Sequence, residues 1–196
     1  MNYISLGYEC STAGILRELG LRKFALPFDW IRTSPLGIYY CISDNFMQFH
    51  KILHLATSKG YIIDEYGFEY PHDYPTTSNM ASLPGEGDID EAIIKCGWET
   101  YHGTVLEKYE RRIERFHAIL RSSEPIIALF FGNTSDIYIF KAAFLEVYHK
   151  KNIVYVVNSH APSMSEDVVV CDGSKDGWLG GIKEAENRSK HFNGLP

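Results

Sequence analysis

A three-layer α/β/α domain with a mostly parallel, Rossmann-like central sheet is the fold class that the sequence predicts, on three observations. Continuous apolar runs at 126–131 (IIALFF), 153–157 (IVYVV) and 168–171 (VVVC) are of the kind expected for strands covered on both faces. The segment 137–150 between the first two reads as a helix, so the order is strand, helix, strand. The chain also opens with a strand, a glycine and a helix, and such units return in the same direction only by crossing over the sheet. With 196 residues, one sizeable core and a single domain are expected.

In chain order, residues 3–7 form a compact apolar strand ending at Gly7, and Ser11 or Thr12 caps a helix that runs through Leu19 and stops at Gly20. The aromatic stretch 24–31 (FALPFDWI) suits a buried irregular crossing. Pro35 fits the first turn of a helix to about Ile42, and Ser43-Asp44 caps a further helix to about Leu55. Residues 61–74 (YIIDEYGFEYPHDY) read as strand, with Pro71 ending the run and His72-Asp73 in the turn beyond. Residues 75–90, with two prolines and two glycines, predict an exposed loop. The helix at 104–121 has the clearest period: Leu106, Tyr109, Ile113, Phe116 and Leu120 step by three or four residues onto one face. Residues 132–136 are a turn, and 184–196 read as a polar carboxyl-terminal tail.

A net charge of −6 argues against a nucleic-acid binder that works by neutralising phosphates. No window reaches the roughly 18 apolar residues of a membrane span, and the amino terminus carries no secretory pattern. A soluble, cytoplasmic protein is expected, with Cys10, Cys41, Cys96 and Cys171 reduced, because their spacing offers no C-x-x-C pair. Neither G-x-G-x-x-G nor G-x-x-x-x-G-K-[ST] occurs, so no cofactor is expected.

The residue with the most chemical promise is Cys10. It falls after the first strand at a helix amino terminus, where backbone N–H groups and the helix dipole favour a thiolate and can hold an oxyanion. The same position suits a cysteine that merely packs. A nucleophilic thiol needs a base. Of eight histidines, His72 stands apart in a turn fixed by Pro71, with Asp73 beside it. His50 and His54, four apart on the helix expected at 44–55, would suit a metal pair, but no third ligand suggests itself and no metal is assigned. Asp29, between Phe28 and Trp30, is either an acid near the base or a buried cap for backbone N–H groups. Asn133 either donates to an oxyanion or serves the turn. Arg112, with Arg111 and Arg115, flanks the buried face of its helix; one of them could bind a carboxylate, or all could pair with Glu107, Glu110 and Glu114.

The runs SLGYEC (5–10), GLRKFALPFDWI (20–31), PHD (71–73) and YERRIERF (109–116), in this order, resemble a family of uncharacterised proteins labelled papain-like cysteine peptidases. The resemblance implies Cys10 as nucleophile, His72 as base and Asp29 or Asp73 as third member of a triad. The substrate is then a peptide or another small carbonyl compound, with Asp73, Trp30, Arg112 and Asn133 as candidates to contact it. A second enzyme reading, an α/β hydrolase with a late Asp-bearing loop at 171–178, lacks the histidine it needs there. A third makes the chain a non-catalytic domain whose aromatic mouth (Trp30, Tyr70, Tyr74, Trp98) binds a sugar, nucleotide or peptide.

Overall fold

The computed structural model describes residues 1–55, 61–76, 94, 96–163 and 165–192. Its centre is a sheet of four parallel strands in the order β1 (Asn2–Ser5), β4 (Ile126–Phe131), β5 (Ile153–Asn158) and β6 (Val168–Cys171). Ile4 pairs with Ala128, Ala128 with Tyr155, and Val156 with Val169. The apolar runs are buried on both faces because alternate residues serve different cores. Ile126, Ala128 and Phe130 face α2 (Pro35–Ser43), α3 (His102–Arg121) and α4 (Ile137–Tyr148), whereas Ile127 and Leu129 face α1 (Ser11–Glu18) and α5 (Lys175–Phe192). The predicted α/β/α layering is therefore the observed one. The close seat of α5 on the sheet needs a glycine: a Cβ at Gly181 would lie 2.8 Å from Val156 Cγ1.

A second, two-stranded antiparallel sheet pairs β2 (Leu53–Leu55) with β3 (Ile62–Asp64). This region departs from expectation. The helix expected at 44–55 does not form, because Asn45, Phe46 and His50 all take positive φ and turn the chain repeatedly. What drives these turns is ring packing: Phe28, Phe46, Phe49, Phe68 and Phe116 contact one another at centroid distances of 5.2–6.4 Å, counting Tyr109 on Phe49. The strand expected at 61–74 is only three residues long. Gly67, at φ +74°, folds the chain back so that Glu69 makes isolated bridges with Ile63 and Arg32.

The stretch from Glu184, expected as a tail, is helical to Phe192, with Ala185 and Ser189 buried. The Asp-bearing loop at 171–178 runs from the end of β6 through a short turn into the first residues of the same helix, with Trp178 in the core. Of the expected loop at 75–90, Pro75 and Thr76 are buried and the rest lies outside the described residues. All four cysteines are free thiols. Among the described residues, no helix is long and apolar enough to cross a membrane.

Candidate functional site

The carboxyl end of β1 turns into α1 through two consecutive left-handed residues, Gly7 (φ +76°) and Tyr8 (φ +77°). Gly7 is required: a Cβ there would sit 2.3 Å from Thr33 Oγ1. We expect Gly7→Ala to cost at least about 1–2 kcal/mol, the penalty of the left-handed region for a residue with a Cβ, read as a lower denaturant midpoint at unchanged slope. Tyr8 bears the same backbone penalty without a glycine's exemption. Its ring is about half exposed and stacks on Phe131, the last residue of β4, at 5.6 Å and 14°, a contact worth about 0.5–1.5 kcal/mol. Thr33 holds the turn from outside. Its hydroxyl accepts from the Tyr8 N–H at 2.7 Å and donates to the Leu6 carbonyl at 3.2 Å. Inside the turn, the hydroxyls of Ser5 and Thr12 bond at 2.7 Å, tying the strand to the new helix.

Cys10 sits at the N-cap of α1, half-buried, with its carbonyl accepting from the Gly14 N–H at 2.8 Å. The sequence leaves open a thiolate favoured by the helix terminus and a packed, neutral thiol, and burial in the fold favours the neutral form. Burial pushes the Cys10 thiol up and Glu9 adds to the rise, against the weaker pull of the backbone N–H and of Arg32. The resting sulfur is a neutral thiol at pH 7.

His72 lies in the turn at 71–74 with its side chain buried, and neither ring nitrogen has a hydrogen-bond partner. Cys10 and His72 are therefore not hydrogen-bonded to one another. Burial lowers the His72 pKa, with Arg32 and Lys108 pushing the same way and Asp73 opposing, so the ring is neutral. The two loops that carry Cys10 and His72 are joined by two residues. Thr33 clasps the cysteine turn, while Arg32 pairs in both directions with Glu69, three residues before His72, through backbone hydrogen bonds of 3.0 Å. The Arg32 charge acts on both Cys10 and His72.

The acids expected to orient His72 are engaged elsewhere. Asp29 is buried, accepts from the Leu26 N–H at 3.0 Å and pairs with Arg22 Nε at 3.0 Å; it caps a turn, and burial raises its pKa. Asp73 is bound by the Lys108 ammonium and accepts from the Tyr109 hydroxyl at 2.6 Å. These partners hold its carboxyl below the usual range despite its burial.

The other candidates scatter. Trp30 (φ +67°) packs against the guanidiniums of Arg17 and Arg22 at 4.9 and 5.5 Å; Arg17 is in the last turn of α1, whereas Cys10 precedes the first. Arg112 stacks on Tyr109 at 5.1 Å and Arg115 on Phe24 at 5.5 Å. Among the described residues neither they nor Arg111 pair with Glu107, Glu110 or Glu114, so the salt-bridged face does not form. Arg112 Nη1 is buried without a partner, and its charge favours the ionised forms of Asp29 and Asp73. Asn133 is exposed at the carboxyl end of β4, and its N–H donates to Asp136 at 3.2 Å. His50 and His54 form no metal pair. His50 is fully buried, bonded through Nε2 to the Tyr74 hydroxyl at 2.6 Å and pushed down to about pKa 3 by burial; His54 is exposed and bonds Glu65. Tyr70 and Tyr74 are likewise fully buried, which removes the proposed aromatic mouth. Three residues around the cysteine turn escaped sequence reasoning, namely Tyr8, Thr33 and Phe131. The only local signal was the Gly-Tyr pair directly after a strand.

Comparison with known proteins gives a consistent placement. The chain is 25% identical over 144 residues to an uncharacterised protein of Acanthamoeba polyphaga mimivirus, covering 64% of this chain and 59% of that relative's length. No solved structure matches. A family model described as "putative papain-like cysteine peptidase" matches residues 1–137, which span the cysteine turn, the His72 turn and β4. The chain belongs to that family.

Proposed function

We propose that the protein is a cysteine-nucleophile hydrolase or acyl-transfer enzyme in which Cys10 attacks a carbonyl and His72 is the general base. The observation that carries this reading is His72 itself: a buried, neutral imidazole with both nitrogens uncommitted, on a turn linked through Arg32 and Thr33 to the turn that delivers Cys10. A buried polar ring without partners is costly, and a free lone pair is what a base needs. Because the thiol is neutral at rest, the pair works by proton transfer during attack and not as a preformed thiolate–imidazolium pair. Cys10 Sγ bonds the carbonyl carbon as its proton passes to His72. The leaving group departs with that proton, and water, deprotonated by His72, releases the acid and restores the thiol. Helix-end N–H groups of α1 support the oxyanion. In this mechanism the contact between Cys10 and His72 is made only with substrate bound, as catalytic contacts often are.

The test is to incubate the protein with p-nitrophenyl acetate and map the acyl group by peptide mass spectrometry. An acetyl thioester at Cys10, absent in Cys10→Ala and formed far more slowly in His72→Ala, is the expected result. Release of nitrophenol at an undiminished rate from Cys10→Ala would remove the proposal.

A further inference from the structure

From the same turn, and resting on the reading of Cys10 as nucleophile, we propose that the stacked rings of Tyr8 and Phe131 form the ledge that receives the substrate, and that the group beside the reacting carbonyl is planar and apolar. Tyr8 is a bulky residue held at φ +77°, where a glycine would sit without strain. Outliers of this kind concentrate where a side chain must be presented. The ring is not spent on the core, since about half of it remains exposed. Its other half lies nearly parallel on Phe131 at 5.6 Å, which fixes its plane. Its backbone is fixed too, by the 2.7 Å hydrogen bond from its N–H to Thr33. The pair stands at the carboxyl ends of the neighbouring parallel strands β1 and β4, where open α/β sheets take their ligands, two residues before Cys10. A rigid, half-exposed ring in that place selects a flat apolar group by stacking; it offers no charge to a polar one.

The experiment compares iodoacetamide with N-benzyl-iodoacetamide, two reagents with the same reacting carbon, and reads the rate of each at Cys10 and at the exposed Cys96 by peptide mapping. In both, the sulfur displaces iodide and its proton goes to solvent. We expect the benzyl reagent to be favoured at Cys10 over Cys96 by about 2- to 10-fold, the range a single ring contact confers. The preference should persist in Tyr8→Phe and vanish in Tyr8→Gly, which keeps the turn. Equal ratios at the two cysteines, or a ratio unchanged in Tyr8→Gly, overturn the ledge. A Cys10 inert to both reagents overturns it together with the nucleophile. A Tyr8-dependent ratio with no thioester in the nitrophenyl acetate test upholds the ledge and sinks only the catalytic reading.

Discussion

His72→Ala is expected to slow Cys10 acylation by p-nitrophenyl acetate by about 10²- to 10⁴-fold, the usual worth of a positioned base, while leaving the fold intact. The size follows from the state of the thiol. Burial holds the Cys10 sulfur protonated near neutrality, so attack needs a group to accept the proton, which in the proposed mechanism is the neutral His72 ring. The pH profile carries the sign. The His72 pKa lies below its ordinary value of about 6.5, so in the wild type the rate climbs as pH rises through a midpoint below 6.5, and His72→Ala loses this limb. Asp73 is the carboxylate that favours the protonated ring. In Asp73→Asn the midpoint therefore moves to still lower pH, provided circular dichroism shows the variant folded. A His72→Ala variant with the wild-type profile would exclude His72 as base, whatever its rate.

How far the sequence could be read depends on where the information lies. β4, β5 and β6 were legible because a strand covered on both faces must be apolar at every position, and IIALFF, IVYVV and VVVC have no other cause. α3 was legible because its buried Tyr109, Phe116 and Leu120 keep a helical period. Residues 44–74 misled because the same aromatic density that reads as helix or strand is the core itself. The positive φ of Phe46 goes with its packing on Phe28 and Phe116, and that of His50 with its bond to Asp64 and its ring contacts with Tyr70 and Tyr109, all partners distant in sequence. α5 was misread because beyond Glu184 its inward face is made of small residues, Ala185 and Ser189, which carry no hydrophobic signal. At the candidate site, the place of Cys10 after β1 followed from local order. Its electrostatics did not: the helix terminus suggested a thiolate, and burial, which only the packed molecule reveals, outweighs it. Asp29 and Asp73 were legible as buried acids but not in their partners, since Arg22, Lys108 and Tyr109 reach them through tertiary packing.

Asp64→Ala is expected to destabilise the protein by about 3–5 kcal/mol, because it strands several buried donors at about 1–3 kcal/mol each. This is a large share of the about 5–15 kcal/mol that holds a typical domain together. Asp64 is buried at the end of β3 and takes four donors: the N–H groups of His50, Tyr66 and Phe68 at 3.2, 3.0 and 3.1 Å and the Tyr70 hydroxyl at 2.5 Å. Together with the backbone bonds from the Asp64 N–H to the Phe68 carbonyl at 3.2 Å and from the Gly67 N–H to the Asp64 carbonyl at 2.9 Å, its carboxylate closes the turn at 64–68, and it holds the N–H of left-handed His50. The His50 ring lies 4.3 Å from Tyr70 and bonds Tyr74, two residues after His72. Truncation strands the buried donors, each costing about 1–3 kcal/mol if water cannot reach it. Tyr70→Phe removes one donor and leaves the carboxylate three, so a smaller loss of about 1.5–3 kcal/mol is expected for a hydrogen bond to a charged group. Guanidinium unfolding monitored by tryptophan fluorescence gives both values, and an Asp64→Ala midpoint within the Tyr70→Phe loss would show that the turn closes without its acid. The acid side of the stability curve separates the roles further. His50 stays neutral down to about pH 3 in the fold but takes a proton near 6.5 once unfolded, so stability falls as pH drops from about 6.5 toward 3. The Asp73 carboxyl is held below its usual range, so its contribution is present above about pH 4 and lost below that as it protonates. Asp64 acts in the opposite sense: burial raises its pKa in the fold, and its own ionisation therefore reduces stability as pH rises from about 4. Replacing His50 by Gln should flatten the limb between about pH 6.5 and 3, and replacing Asp73 by Asn should flatten the part below about 4, each in its own window.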